Sequence, residues 1–386
     1  MTDAWRATFL LGAAYLAFGI CLPYLPLWLE SARGLSGEQI GWTVFGASLG
    51  RVITGPISGA WAEQFTGRQV ALRLTLASLV AWGLLYIAPG PITIVLAGFV
   101  ALSILWALLP LGDAMLILSE GPPSFGVGRA IGSITFVGGV FLGGWLKDAA
   151  GAGSIVPAIL LLNVLTMVSA AGAPKAPLGN LSGGLSFAGR LKKAAGLYRR
   201  PTLLFMLLST GPLQATHAFY YGFSATIWQA QGFSGKTTSA LWATGVAVEI
   251  LMLMTASFWA RHLTPQRLIL IGAIGSIIRW TGLSTAPDLP VAFALQLLHG
   301  LSFAAGYLGA VQVIDRDVAR DDKTVAFSLQ AALTSGTFTG VAGIASGALY
   351  DSFHVHGYLA MTALACVGLL FTLLLMWRIA VRPERN

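Results

Sequence analysis

The chain has 386 residues, of which 56% are hydrophobic and only 10% are charged, whereas a soluble globular protein carries about 25% charged residues. With a mean hydropathy of +0.76, the composition excludes an ordinary soluble protein and indicates an integral membrane protein. The formal net charge of +8 does not indicate nucleic-acid binding, because most Lys and Arg residues fall on one predicted side of the membrane. The two cysteines, both in apolar runs, are too few for a disulfide framework.

Apolar runs separated by Gly, Pro or charged residues predict twelve membrane-spanning helices and an all-α fold. The helices are expected near residues 5–29, 38–62, 69–88, 91–118, 126–148, 153–172, 201–230, 237–261, 267–286, 289–315, 323–350 and 356–379. A stretch rich in Pro, Gly and Ser follows the sixth helix. It divides the chain into a six-helix bundle (1–172), a linker (173–200) and a second six-helix bundle (201–386). The distribution of Lys and Arg places both termini and the linker in the cytoplasm.

The two halves contain related sequences at an offset of about 200 residues. The first half has Gly34, Ser36 and Gly37 after its first span and Gly144, Leu146 and Asp148 at the end of its fifth; the second half has Gly232, Ser234, Gly235, Gly347, Leu349 and Asp351 at the matching places. Parallel repeats of six helices resemble the major facilitator superfamily. The resemblance implies a transporter that works by alternating access and holds its substrate between the two halves.

Five charged side chains lie inside the apolar runs, namely Arg51, Asp113, Arg129, Glu249 and Arg279. Each costs at least about 3 kcal/mol at the centre of a membrane helix, so a stable fold keeps it only beside a partner or a wet cavity. Asp113 and Arg129 flank one short connection and are expected to meet, either as a binding pair or as a structural salt bridge. Arg51 is ambiguous between a cavity and the contact between the halves.

A second polar group is expected at one depth in the C-terminal half. Glu249, Arg279 and His299 lie near the middle of spans eight, nine and ten, and Gln296 and Ser302 share a face with His299. Span seven adds a polar and aromatic stripe composed of Gln214, His217, Tyr221, Ser224 and Trp228. Several such stripes at one depth favour a cavity over simple helix contacts.

Several runs resemble lactose permease and related oligosaccharide symporters: PYLPLWLE, FGVGR, VEI, IIRW and LQLLH. This resemblance implies that Asp113 and Arg129 bind substrate, with Phe136 at a stacking position. It also implies that Glu249 binds substrate and couples it to protons, that Arg279 handles the proton, and that His299 stands at the position of the family's histidine. Ser302 departs from the pattern, since it replaces a proton-carrying carboxylate, and Gln296 replaces a lysine.

Longer runs, HAFYYGFSATIWQAQGFS, LWATGVAVEI, IIRWTG and LQLLHGLSF, are similar to the phenylpropionate permease-like branch of the superfamily over nearly the whole chain. This resemblance implies proton-coupled import of a small aromatic acid. The fixed cations are Arg129, Arg279 and Arg51, and the flat apolar rings are Phe136, Tyr220, Tyr221 and Trp242, with His217 beside them. The alternative for Tyr220, Tyr221 and Trp242 is packing against lipid or protein.

Glu249 is the leading candidate for the proton carrier, because burial favours the uncharged form of a carboxyl and a nearby arginine opposes it. His299 and Asp113 are the alternatives. Sugar or nucleoside symport is the second functional hypothesis, since Asp113 beside Arg129 suits hydroxyl groups. Siderophore import and drug efflux rank third.

The run EQFTGR between spans two and three resembles a cytoplasmic latch loop of the superfamily, which implies that Glu63, Gly67 and Arg68 act as a conformational latch. Gln64 and Thr66 depart from that pattern. The sequence contains no zinc-protease motif and no nucleophile elbow, so we expect no enzyme activity, cofactor or metal. The predicted protein is a monomer of the bacterial inner membrane whose partners are a small substrate, protons and lipid.

Overall fold

Each predicted span corresponds to a helical segment in the computed structural model, which describes residues 1–175, 189, 192–193 and 196–381 and leaves out the side chains of 51–63, 321 and 324. The side chains of Arg51 and Glu63 therefore lie outside the described residues. Within the described residues the chain forms helices and no strand. Eight helical stretches of this part are long and apolar enough to cross a membrane, which is consistent with the twelve predicted spans.

The first half contains six α-helices in the described residues. They are α1 (Asp3–Ser31), α2 (Gly37–Gln64), α3 (Gly67–Ile87), α4 (Pro91–Leu118), α5 (Phe125–Ala150) and α6 (Ile155–Gly172). Helix α1 packs against α4, α5 and α6 and is almost entirely buried. A Cβ atom on Gly19 would lie 3.0 Å from the Cα of Gly139, so the backbones of α1 and α5 touch.

Compared with those of the first half, the helices of the second half are interrupted more often. Its described α-helices are α7 (Pro201–Ala215), α8 (His217–Ala230), α9 (Gly235–Trp259), α10 (Pro265–Leu283), α11 (Leu289–Leu297), α12 (Gly306–Asp317), α13 (Lys323–Ala331), α14 (Thr339–Phe353) and α15 (Tyr358–Val381). The predicted seventh span is interrupted at Thr216, which separates α7 from α8, although the Thr216 N–H still bonds to the carbonyl oxygen of Pro212 at 3.0 Å. The predicted tenth and eleventh spans contain π-helical turns at Gly300–Ala305 and Ala332–Phe338. Single π turns occur frequently at functional sites.

Contacts along the chain define two units. Unit one comprises Met1–Gly184 with Tyr221–Ala240, and unit two comprises Leu185–Tyr220 with Leu241–Asn386. Helix α9 therefore begins in unit one and continues into unit two. In unit two, α10 packs against α12 and α15, and α7 packs against α15. The predicted limits of the two bundles and of the linker stay predictions.

Large apolar side chains cover much of the protein surface. Leu96 is 61% exposed, Leu161 is 71% exposed and Met254 is 76% exposed. Contiguous apolar surface of this kind is rare on soluble monomers and is expected where lipid replaces water. The protein is accordingly a multi-span membrane protein.

The predicted latch loop is a helix start in unit one. The Thr66 hydroxyl accepts the backbone N–H of Gln69 at 3.4 Å, and the Gln69 side chain accepts the N–H of Thr66 at 3.1 Å, which forms a capping box. Gly67 is buried at the first position of α3. Arg68 donates from Nε to the carbonyl oxygen of Ala173 at 2.9 Å, beyond the end of α6. Thr66, which departs from the superfamily pattern, is thus the N-cap of α3.

Candidate functional site

The structure brings Asp113 and Arg129 together in unit one. Asp113 lies near the end of α4 and Arg129 in the second turn of α5, and Nε of Arg129 is 3.5 Å from Oδ1 of Asp113. Arg129 also donates from Nη1 to the hydroxyl of Tyr15 on α1, and its guanidinium lies 4.9 Å from the centre of the Tyr15 ring. The Arg129 side chain is 37% exposed. The guanidinium is therefore held in place while part of its surface stays accessible.

Four aromatic rings of unit one form a group that begins at Tyr15, the partner of Arg129. Phe18 is their centre, with ring centroids 4.7 Å from Trp106, 5.7 Å from Phe136 and 6.5 Å from Tyr15. Phe18 and Phe136 are buried, whereas Tyr15 and Trp106 are partly exposed. We call Tyr15, Phe18, Trp106 and Phe136 the aromatic cluster. It places flat apolar surface next to a fixed cation and a carboxylate.

A second polar cluster lies in unit two around Arg279, which is fully buried on α10. Its Nη1 donates to Nδ1 of His299 at 2.8 Å and to Oγ of Ser302 at 3.2 Å, and its Nη2 donates to Oε1 of Gln296 at 2.9 Å. The guanidinium also lies 4.7 Å from the Tyr220 ring centre and 4.5 Å from that of Trp280. Uncharged acceptors and aromatic faces thus surround this arginine.

His299 links Arg279 to Glu249. The Nε2 atom of His299 is 3.2 Å from Oε2 of Glu249, whose side chain is 24% exposed. An arginine nitrogen can only donate a hydrogen bond, so Nδ1 of His299 must be the acceptor from Arg279. The proton of His299 is therefore on Nε2, where it is donated to the Glu249 carboxylate. In this arrangement the imidazole is neutral.

Ser302 extends the chain of hydrogen bonds to His217 at the start of α8. The Nε2 atom of His217 is 3.3 Å from Oγ of Ser302, and its Nδ1 is 3.2 Å from the carbonyl oxygen of Gln214. Because a carbonyl oxygen accepts, Nδ1 of His217 carries a proton in this contact. Ser302 stands in the first residues of the π turn that follows His299. The π turn thus brings Ser302 to the arginine.

The other aromatic residues predicted to bind substrate are divided between the two units. Tyr220 and Trp242 are both buried in unit two, where their rings stack with centroids 4.7 Å apart. Tyr220 therefore lies between Trp242 and the Arg279 guanidinium. Tyr221 belongs to unit one and is partly buried.

Sequence reasoning did not single out three residues of the unit-one cluster, Tyr15, Phe18 and Trp106. The only available signal for Tyr15 was a phenol inside an otherwise apolar span, which needs a hydrogen-bond partner when buried. Sequence reasoning also left the role of Gln296 and Ser302 open. In the structure both accept hydrogen bonds from Arg279. The residues that depart from the lactose permease pattern therefore hold the arginine with neutral atoms.

Comparison with known proteins gives concordant results. A sequence profile of the MFS_1 like family matches residues 5–360. The chain is 29% identical over 373 residues to the probable 3-phenylpropionic acid transporter of Escherichia coli, covering 92% of this chain and 93% of that protein. It is 27% identical over 375 residues to maltose permease of Geobacillus stearothermophilus, covering 94% and 92%.

Solved structures share the fold at low sequence identity. The nucleoside transporter NupG is similar with a TM-score of 0.78 and 15% identity over 100% of both chains. A bacterial homologue of the human lysosomal transporter Spinster, inward-facing and unoccupied, is similar with a TM-score of 0.76 and 12% identity, covering 98% of this chain and 97% of that one. Because the family profile spans most of the chain, the protein belongs to the MFS_1 like family and is a membrane transporter of the major facilitator fold.

Proposed function

We propose that this transporter imports a small aromatic carboxylate together with a proton by alternating access. The observation that carries the proposal is the partly exposed guanidinium of Arg129 beside the aromatic cluster. A carboxylate suits the planar donor fork of arginine, and a phenyl ring suits the faces of Phe18 and Trp106. The 29% identity to a probable 3-phenylpropionic acid transporter supports the same class of substrate.

Arg129 is suited to a substrate anion because its geometry is already fixed. Its Nε faces Asp113 at 3.5 Å and its Nη1 donates to Tyr15, so the side chain needs little ordering when a ligand binds. The contact with Asp113 is longer than an ideal charge-assisted hydrogen bond. A substrate carboxylate would therefore compete for the guanidinium on favourable terms.

The unit-two cluster supports proton coupling through Glu249. The His299 imidazole is neutral while Arg279 donates to its Nδ1, so Glu249 is the member of the Arg279–His299–Glu249 chain that can gain a proton without breaking the contact with the arginine. Transport of a monovalent anion together with one proton moves no net charge across the membrane. In that case the pH gradient alone would drive accumulation.

Sugar or nucleoside symport is the second candidate, favoured by one observation. Asp113 lies beside Arg129 and is 30% exposed, so an acid and an arginine are both available to hydroxyl groups. A ring of the aromatic cluster would then stack on a sugar or a base. The two candidates differ in whether the ligand must carry a negative charge.

We further propose that the transporter acts as a monomer in the inner membrane with both termini in the cytoplasm. The support for the topology is the distribution of Lys and Arg between the predicted loops. Labelling of single cysteines placed in successive loops, with a reagent that does not cross the membrane, tests this topology.

A ligand panel separates the two candidate functions. The thermal stability of the purified protein is measured with 3-phenylpropionate, its uncharged amide, disaccharides and nucleosides, and each stabilising compound is then tested for counterflow in proteoliposomes. We expect 3-phenylpropionate to stabilise and exchange, and its amide to do neither. Stabilisation and exchange by a sugar or nucleoside, without any by a carboxylate, would contradict the aromatic-acid proposal and favour the second candidate.

A further inference from the structure

The first turn of α9 is capped by a carboxylate from another helix. Asp148, near the end of α5, accepts the backbone N–H of Gly235 at 2.7 Å through Oδ1 and that of Lys236 at 2.9 Å through Oδ2. The N–H of Thr237 is taken by Oγ of Ser234 at 3.1 Å. An acidic group at a helix N-terminus also complements the helix dipole. Asp148 therefore serves α9 across 87 residues of sequence.

Tyr24 of α1 makes a second polar contact with the same turn. Its hydroxyl donates to the carbonyl oxygen of Gly235 at 2.9 Å and lies 2.6 Å from Oγ of Ser239. Oγ of Ser239 in turn donates to the carbonyl oxygen of Val140 on α5 at 2.7 Å. Tyr24, Val140 and Ser239 are all buried. Two helices of unit one thus hold one turn of α9 by hydrogen bonds.

The backbones of α5 and α9 touch at Gly144 and Gly235. A Cβ atom on Gly144 would collide with the Gly235 carbonyl oxygen, and a Cβ atom on Gly235 would collide with the Gly144 carbonyl oxygen. This contact between glycines buries little apolar side-chain area, so hydrogen bonds provide much of its specificity. Asp148 is 33% exposed, so water is available to replace its bonds if the turn moves away.

Helix α9 connects this contact to the proposed proton site. Residues 235–240 belong to unit one, and residues 241–259, which include Trp242 and Glu249, belong to unit two. The turn held by Asp148 and the carboxyl of Glu249 thus belong to one continuous helix.

We propose that Asp148 and Tyr24 form a releasable latch on the first turn of α9, and that its release opens the buried contact between α5 and α9 to the side assigned to the periplasm. The latch depends on the protein being a transporter and not on the identity of its substrate. Its test uses neither transport nor proton coupling. It relies on the proposed topology, which the labelling of loop cysteines tests separately, so failure of the latch can be told apart from failure of the proposed function.

The test measures how fast a buried reporter thiol reacts from outside. Val140→Cys is introduced after Cys21 and Cys366 have been replaced by alanine, and right-side-out vesicles are treated with a membrane-impermeant maleimide. Val140 is fully buried, so the parent should react slowly. We expect Asp148→Asn, which keeps one acceptor, to raise the rate about threefold, and Asp148→Ala to raise it about tenfold. Tyr24→Phe should raise it as well.

Asp288→Ala is the matched control, because Asp288 caps α11 in unit two through the N–H of Val291 at 3.2 Å on the same predicted side of the membrane. It should label at the parental rate. An equal increase in this control, or a parental rate in Asp148→Ala, would overturn the latch. So would fraying alone, in which hydrogen exchange of residues 235–239 rises while the reporter rate stays parental. The isosteric Asp148→Asn variant provides a folded protein even if the alanine variant does not fold.

Discussion

Arg279 donates a hydrogen bond to Nδ1 of His299 over 2.8 Å, and this single contact fixes the protonation state of the imidazole. A guanidinium has no acceptor, so Nδ1 cannot carry a proton while the bond exists. The opposite nitrogen, Nε2, then holds the proton and donates it to Glu249 at 3.2 Å. The histidine acts as a neutral bridge between a permanent cation and a carboxylate.

The tautomer of His299 can be measured directly. We expect its ¹⁵N signals to show an unprotonated Nδ1 and a protonated Nε2 in protein labelled at its five histidines, with His299→Gln used to assign the resonances. Nδ1 should stay unprotonated between pH 6 and 8, since the Arg279 bond excludes a proton from it. A doubly protonated His299 in that range would show that the arginine contact is absent.

Replacing Glu249 by glutamine should separate exchange from accumulation. The amide oxygen of Gln can still accept the Nε2–H of His299, so the substrate site should stay intact, but the side chain can no longer take up a proton. We expect Glu249→Gln to keep counterflow and to lose uphill accumulation driven by an imposed pH gradient in proteoliposomes. Glu120→Gln, in an exposed loop, is the control and should behave as the parent.

If Glu249→Gln still accumulates substrate, the proton carrier lies elsewhere. Asp113→Asn, assayed in the same way, then tests the acid of unit one. A parallel loss of counterflow and accumulation in Glu249→Gln would instead mean that Glu249 binds the substrate.

Tyr15 should matter for charged ligands alone. Its hydroxyl accepts a hydrogen bond from Arg129, and Tyr15→Phe removes that acceptor while keeping the ring under the guanidinium. Loss of one partly exposed charge-assisted bond predicts about three- to tenfold weaker binding of an aromatic carboxylate. Binding is measured by calorimetry, and Tyr86→Phe, on the exposed face of α3, should leave it unchanged. Parental affinity for the carboxylate in Tyr15→Phe would show that the hydroxyl does not position Arg129.

The sequence is a better guide to which charged residues meet than to which residues surround them. Asp113 and Arg129 flank one short connection, and Glu249, Arg279 and His299 lie at one depth, so spacing alone brings them close. The partner Tyr15 could not be predicted, because α1 is buried on nearly all sides and its sequence does not reveal which face meets α5.

The interruptions of the second half were also outside the reach of sequence patterns. Apolar periodicity continues through Thr216 and through both π turns, so a single helix was expected in each case. Their positions depend on tertiary contacts, such as the hydrogen bond from Arg279 to Ser302 within the first π turn. By contrast, the start of α3 after Thr66 has a local cause, since a threonine followed three residues later by glutamine is a helix-start pattern.

Two glycines of α5 should respond in opposite ways to alanine. At Gly144 a Cβ atom would collide with the carbonyl oxygen of Gly235 and lie 2.7 Å from the Tyr24 hydroxyl oxygen, so Gly144→Ala forces α9 away from α5. Overpacking of this kind costs about 1–3 kcal/mol and should lower the Tm of the purified protein. At Gly126 a Cβ atom meets nothing within 4 Å, and alanine is a better helix former than glycine, so Gly126→Ala should keep or slightly raise the Tm. An unchanged Tm in Gly144→Ala would mean that the two backbones are not in contact in the membrane.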